Sequence, residues 1–329
     1  MIEKNNLYNS TYLMQVKDLT ISYAQLRNTK RAVNRVTFEL KYGEILGIIG
    51  ESGAGKSTIG LAILGMIKKP NEITGQILVE GEDVTKMTPN ELEAYRWTKV
   101  SMVFQTAMNS LNPVATVGTS FIRLLLDKRL AKSVTEARQL AVKFLRIVNL
   151  PLPGVVLTMY PHEMSGGMKQ RLALAMAISA LPKILIADEP TTALDTINQL
   201  VILELIKEIK EQKKVESVIL ISHDLAVHAF LDDRVLVMYK GSIVERGTRK
   251  DVFSLDAPHH PYTSNLINSS VLDSTDRNVI TKEIPDARKT DNGCPFSDLC
   301  PEAMEKCFTN EPQEVPISDT HSIKCFLYG

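Results

Sequence analysis

Residues 12–23 alternate apolar and polar side chains, with Leu13, Val16, Leu19 and Ile21 on the apolar beat, and predict an edge strand. Residues 33–40 predict a second strand, and the turn Lys41-Tyr42-Gly43 leads into a run, Ile45-Leu46-Gly47-Ile48-Ile49, that does not alternate. Two further runs of this kind, Ile184-Leu185-Ile186-Ala187 and Val218-Ile219-Leu220-Ile221, have the pattern of parallel strands covered on both faces. Between these runs the spacing becomes helical, over 58–67, 91–97, 121–130, 134–148 and 200–213. Lys68 and Lys69 fall in the expected last turn of the first helix, and Pro70 breaks it. Short strands are predicted at 77–79 and 100–104, and 234–239 with 243–246 form a hairpin about Lys240-Gly241. Residues 106–116 read as a loop, followed by a mostly helical stretch to about 179 with a break at Pro151, Pro153 and Gly154. Strands alternating with helices predict an α/β fold around a parallel sheet. Beyond Gly247 the chain is polar, proline-punctuated and weakly periodic, an appendage rather than a second core.

Composition narrows the setting. A chain of 329 residues, 44% of them apolar, can bury a full core. Its formal net charge of zero offers no polycationic surface, so nucleic acid is not an expected partner. No apolar run reaches the roughly 18 residues of a membrane span, and the polar start lacks a signal-peptide core. The expectation is a cytosolic chain that meets a membrane only through a partner. All four cysteines, Cys294, Cys300, Cys307 and Cys325, fall in the tail, which in a reducing compartment suggests metal binding more than disulfides.

Candidate chemistry centres on Gly50-Glu51-Ser52-Gly53-Ala54-Gly55-Lys56-Ser57-Thr58, set between a buried strand and a helix. Glycines at this spacing turn backbone N–H groups toward phosphate oxygens, and the helix start adds its positive end. Lys56 would reach the β- and γ-phosphates of a nucleoside triphosphate, and Ser57 would offer a hydroxyl to Mg²⁺. Asp188, ending a buried strand, is placed to hold Mg²⁺, and Glu189 beside it can polarise an attacking water. His223 ends a later strand, where a γ-phosphate sensor is needed. Tyr23 could stack on adenine or be a half-buried strand tyrosine.

With these motifs in order, the chain resembles the nucleotide-binding subunit of an ATP-binding cassette (ABC) transporter, over residues 13–247. Met164-Ser165-Gly166-Gly167-Met168 is similar to the family signature LSGGQ, with Met164 and Met168 departing from it. The resemblance implies an α/β P-loop cassette over 11–247: a RecA-like core, an antiparallel β subdomain and an α-helical subdomain at about 106–179. It assigns Gln105 to the Q-loop and to Mg²⁺ alongside Ser57 and Asp188, Asp195 to the D-loop, His223 to the switch histidine and Tyr23 to adenine stacking. It further implies head-to-tail pairing of two cassettes, in which Ser165, Gly166 and Gly167 serve the nucleotide on the partner chain.

Asn109-Ser110-Leu111-Asn112-Pro113, His162-Glu163 before the signature, and His260-Pro261-Tyr262-Thr263 with Leu266 resemble the oligopeptide, dipeptide and nickel importers, specifically their D-type ATPase with its extension over 248–329. That implies an ATPase driving peptide import, with nickel or another small solute as the alternative and a soluble cassette ATPase acting on nucleic acid or ribosomes as a remoter one. The implied partners are a second, different ATPase chain, two permeases and an external binding protein, with this chain peripheral on the cytoplasmic face of the membrane. The tail's C-x₅-C-x₆-C-x₁₇-C array provides four thiolates, which suit a [4Fe–4S] cluster or tetrahedral zinc. It resembles the cysteine tail of that branch, which implies the cluster; free thiols are the third reading. His321 is a candidate substitute ligand or a surface histidine.

Overall fold

The unalternating strands divide their side chains between two cores. In β7 (Ile184–Asp188), Ile184 and Ile186 join one apolar cluster while Leu185 and Ala187 join another, and β8 (Ser217–Ser222) sends Ile219 and Ile221 one way, Val218 and Leu220 the other. Every residue of both strands is buried, as the sequence pattern requires of strands covered on two faces. The computed structural model that displays this arrangement describes residues 11–24, 29–104, 111–271 and 293–329. Gln105, Asn109 and Ser110 lie outside the described residues.

Strands β3 (Ile45–Ile49), β6 (Val100–Val103) and β9 (Arg234–Tyr239) run parallel with β7 and β8, and β10 (Ser242–Thr248) returns antiparallel to β9. In the tail, β11 (Val315–Pro316) and β12 (Ser322–Ile323) extend the same sheet, giving the order β11-β12-β10-β9-β3-β8-β7-β6. A second, antiparallel sheet is formed by β1 (Tyr12–Ala24), β2 (Thr29–Lys41), β4 (Glu72–Val79) and β5 (Glu82–Asp83), in the order β2-β1-β4-β5. β1 is therefore central, not an edge. Alternation of Leu13, Val16, Leu19 and Ile21, all fully buried, reports which face meets the core and says nothing about pairing on either side.

Helix α1 (Lys56–Ile63) stops earlier than its spacing predicts, at Gly65 with φ +66°, so Lys68 and Lys69 lie beyond it. A β-carbon at Gly65 would come 2.4 Å from Leu92 Cδ2, so glycine suits both the turn and the packing against α2 (Pro89–Thr98). Thr88 and Glu91 start α2 with a capping box, two residues before the apolar period begins. The expected helical region contains α3 (Val117–Asp127), α4 (Val134–Ile147), α5 (Pro153–Val156) and α6 (Gly166–Ile178), which bury Phe121, Leu125, Ala141, Leu145 and Leu172 completely. Burial of each large apolar side chain here contributes about 1.5–3 kcal/mol. Behind the sheet, α7 (Thr196–Glu211) adds Ile202, Leu205 and Ile206 to the same cluster.

Helix α8 (Leu225–Leu231) carries His228, whose Nδ1 lies 2.5 Å from Asp232 Oδ2 beneath β3, both side chains fully buried. Gly47 makes room for them: a β-carbon there would lie 1.5 Å from Asp232 Oδ2. Burial opposes charge on His228, but Asp232 and the Ser222 carbonyl outweigh it and hold its pKa above the usual value. After β10 come α9 (Arg249–Phe253), α10 (Pro261–Val271) and α11 (Glu305–Thr309). The tail docks through Phe296, whose ring centroid lies 5.1 Å from that of Tyr239 on β9 and 5.5 Å from that of Tyr262 on α10.

Candidate active site

Strands β3, β7 and β8 deliver Gly50, Asp188 and His223 to the same carboxyl-end rim of the parallel sheet, where ligands of such sheets gather. The loop from Gly50 to Gly55 is turned by left-handed glycines; at Gly55, with φ +102°, a β-carbon would lie 2.3 Å from the Ala32 carbonyl oxygen. Lys56 opens α1 and is 6% exposed. Its Nζ donates to the carbonyls of Gly50 at 2.6 Å and Glu51 at 3.0 Å, curling the cation back over the loop. Burial depresses its pKa, and Glu189, Asp188 and Glu51 partly restore it.

Ser57 Oγ donates to Asp188 Oδ1 at 3.0 Å, bringing together the two oxygen donors expected to share a cation. Burial raises the Asp188 carboxyl pKa; the Ser57 hydrogen bond and Lys56 oppose this, and Glu189 adds to it. A partly buried carboxylate beside a hydroxyl and a second carboxylate is a hard-oxygen set that fits Mg²⁺.

Glu189 leaves the strand with φ +51°, a backbone conformation costing about 1–2 kcal/mol for a non-glycine residue. Its N–H donates to Ile221 O at 2.8 Å, which offsets part of that cost. His223 Nδ1 donates to Oε1 at 2.8 Å, while Thr192 Oγ1 donates to Oε2 at 3.0 Å. The adjacent carboxylates thus have separate partners. Tyr23 is half-buried, and its hydroxyl donates to Thr58 Oγ1 at 3.4 Å, placing the ring beside the first turn of α1.

Ser165 caps α6, accepting from Met168 N–H at 3.3 Å. Among the described residues no hydrogen bond joins Ser165, Gly166 or Gly167 to the phosphate loop of the same chain. Gly167 abuts Asn198, since a β-carbon there would lie 2.8 Å from Asn198 Oδ1. Asp195, the cap of α7, accepts from Asn198 Nδ2 at 2.6 Å, so the signature and Asp195 meet through a residue the motif reading missed. Thr192 was missed as well, and so was Tyr262, whose hydroxyl accepts Glu51 N–H at 2.9 Å and ties the extension to the phosphate loop. Two signals were available, a hydroxyl three residues after Glu189 and the His-Pro-Tyr motif, but neither names its partner.

None of the four cysteines forms a disulfide; Cys307 and Cys325 are buried, and Cys294 and Cys300 are half-buried. Burial pushes the Cys300 thiol up to about 11. Among the described residues, the group of three metal-ligating atoms that lie within 4.8 Å of one another is formed by Glu245, His259 and His321 and includes no cysteine. His321 does not substitute for them: its Nε2 lies 3.0 Å from Glu245 Oε1 on β10. The β12 pairing with β10 draws it to the core sheet.

A sequence model of the ABC transporter family matches residues 33–192, and one of the oligopeptide/dipeptide transporter C-terminal region matches residues 244–307. The chain is 40% identical over 321 residues to the oligopeptide transport ATP-binding protein AppD of Bacillus subtilis, spanning 96% of this chain and 97% of that one. It is 42% identical over 321 residues to the dipeptide transport ATP-binding protein DppD of the same organism, spanning 96% and 94% of the two chains. Its similarity to the Escherichia coli oligopeptide transport ATP-binding protein OppD is 40% over 306 residues, or 92% and 89% of the chains. The dimeric structure of MJ0796, a bacterial ABC transporter cassette, superposes with a TM-score of 0.64 at 29% identity, covering 72% of this chain and 98% of that one.

Proposed function

The chain belongs to the ATP-binding proteins of ABC transporters, in the branch bearing the oligopeptide/dipeptide C-terminal region, and from that premise we propose that it hydrolyses ATP to drive peptide import through membrane permeases. The observation carrying this reading is similarity along nearly the whole length, extension included, to proteins named for oligopeptide and dipeptide transport.

In this reading the loop from Gly50 to Thr58, including Ser52 and Gly53, takes the triphosphate on its backbone N–H groups, and Lys56 exchanges its two carbonyl partners for phosphate oxygens. Ser57 and Asp188, with Gln105 as a third donor, would hold Mg²⁺, which would supply positive charge against the triphosphate. Glu189 orients the attacking water and accepts its proton, while Thr192 and His223 hold its two oxygens. Tyr23 covers the adenine. Ser165, Gly166 and Gly167 act on the nucleotide of a second cassette, and Asn198 with Asp195 supports them from behind. Closure around ATP and opening after hydrolysis would then drive the permeases.

The proposed assembly is a heterodimer of two ATPase chains on two permeases, fed by an external binding protein, with this chain peripheral at the cytoplasmic face. Among the described residues no helix is long and apolar enough to cross a membrane. The cassette is assigned to 11–247 and the extension to 248–329. Reconstituted with its permeases and binding protein in liposomes, the chain is expected to support ATP-dependent accumulation of a labelled dipeptide or short oligopeptide. Accumulation of nickel without peptide would overturn the substrate assignment.

For the cysteines, the reading is a [4Fe–4S] cluster, because four thiolates close together in the tail sequence can supply one ligand to each iron of a cube. Protein purified without oxygen should carry about four irons and four acid-labile sulfides per chain, lost in Cys300→Ser. Zinc, or no metal, would remove the cluster from the account.

A further inference from the structure

Three buried side chains from separate stretches meet where the tail joins the core sheet: Glu245 on β10, His259 ahead of α10, and His321 just before β12. They are 1%, 8% and 3% exposed. His259 Nδ1 lies 2.9 Å and His321 Nε2 3.0 Å from one oxygen, Glu245 Oε1, and the three atoms all fall within 4.8 Å of one another. The other oxygen, Oε2, accepts His260 N–H at 2.8 Å, which fixes the plane of the carboxylate.

Donor and acceptor accounting at His259, as at His228, calls for a cation between ring and carboxylate. Its Nε2 lies 2.6 Å from the Ser254 carbonyl oxygen, which can only accept, so Nε2 carries a hydrogen. A neutral imidazole has one N–H, and Nδ1 then aims a lone pair at a carboxylate oxygen 2.9 Å away. Two lone pairs cannot face each other in a buried site, so either a proton, on the ring or on the carboxyl, or a metal ion lies between them. Three features favour the metal. Donation of the distal N–H to a backbone carbonyl is how metal-bound histidines are oriented, and the His260 N–H on Oε2 does the same for the carboxylate. A second imidazole nitrogen converges on the same oxygen, completing the His₂-carboxylate donor set that zinc and similar divalent ions accept. Thr263, 1% exposed, faces the same carboxylate with a buried hydroxyl that has no partner in hydrogen-bond geometry. Ligands at about 2.0–2.1 Å in a tetrahedron lie about 3.3 Å apart, so the observed 2.9 Å and 3.0 Å need open only by a few tenths of an ångström.

We propose that Glu245, His259 and His321 bind one divalent transition-metal ion, zinc being the best match, at a site separate from the four cysteines. The metal joins β10, the segment leading into α10 and the strand β12, and so holds Tyr262 where it meets Glu51 of the phosphate loop. To test this, the full chain with all four cysteines changed to serine is stripped by chelator and titrated with Co²⁺, then Zn²⁺. One Co²⁺ per chain is expected, with d–d absorption, no thiolate charge-transfer band, and displacement by Zn²⁺. Glu245→Gln and His321→Ala should each weaken binding at least tenfold, and Zn²⁺ should raise the Tm of the parent but not of Glu245→Gln. Absence of binding at micromolar metal, or equal binding in the variants, would overturn the site and leave a proton as the bridging cation. If the cysteine-free chain does not fold, the native chain is compared with Glu245→Gln. One fewer bound divalent ion at unchanged iron supports the site, and equal content overturns it.

Discussion

Lys56→Ala is expected to weaken ATP binding by roughly 30-fold to several thousand-fold, the equivalent of about 2–5 kcal/mol for removing one partner of a buried charge contact. The reason lies in how the cation is kept. Lys56 is almost fully buried at the first turn of α1, with Nζ on the carbonyls of Gly50 and Glu51 and with Glu189 and Asp188 as nearby anions. Burial has already removed much of its water, so phosphate oxygens replace two carbonyls rather than a full hydration shell. Alanine leaves the phosphates opposite two carboxylates with no cation supplied by the loop. Equilibrium binding of a fluorescent ATP analogue reads the loss; affinity within about threefold of the parent would show that the backbone amides alone hold the nucleotide.

Glu189→Gln should separate hydrolysis from binding, slowing turnover by roughly 10²–10⁴-fold while leaving ATP affinity near that of the parent. Glutamine has the same shape and can keep the Thr192 contact, but it cannot take a proton from water. Asp188, with Ser57, is untouched by the change, and so is Lys56. The left-handed turn at Glu189, tied down by its N–H on Ile221, separates the tasks of two neighbouring carboxylates.

What could be read from the sequence follows from how local each cause is. The phosphate loop occupies nine consecutive residues, and the buried strands announce themselves through runs such as Ile184 to Ala187, so both were legible. The position of β1 was not, because its neighbours β2 and β4 pair through backbone atoms that leave no mark on its alternation. Helix α1 ends at Gly65 because a left-handed residue packs against Leu92, a contact between elements that the two lysines concealed. Long separations hid the rest. Tyr262 reaches Glu51 across 211 positions, and His321 reaches Glu245 across 76, so a motif could flag each residue but not its partner. Gly47 belongs to a run that marks a strand, but nothing in that run shows that its bare α-carbon admits the buried pair of His228 and Asp232.

In the proposed mechanism Glu189 performs the chemistry at a nucleotide held by Lys56, Ser57 and Asp188. Its most direct test follows inorganic phosphate release from pre-bound, γ-labelled ATP in a single turnover of the purified transporter complex, with parent and Glu189→Gln side by side. Rapid release is expected from the parent, and retention of intact, bound ATP by the variant. Release from Glu189→Gln at the parent's rate would contradict it.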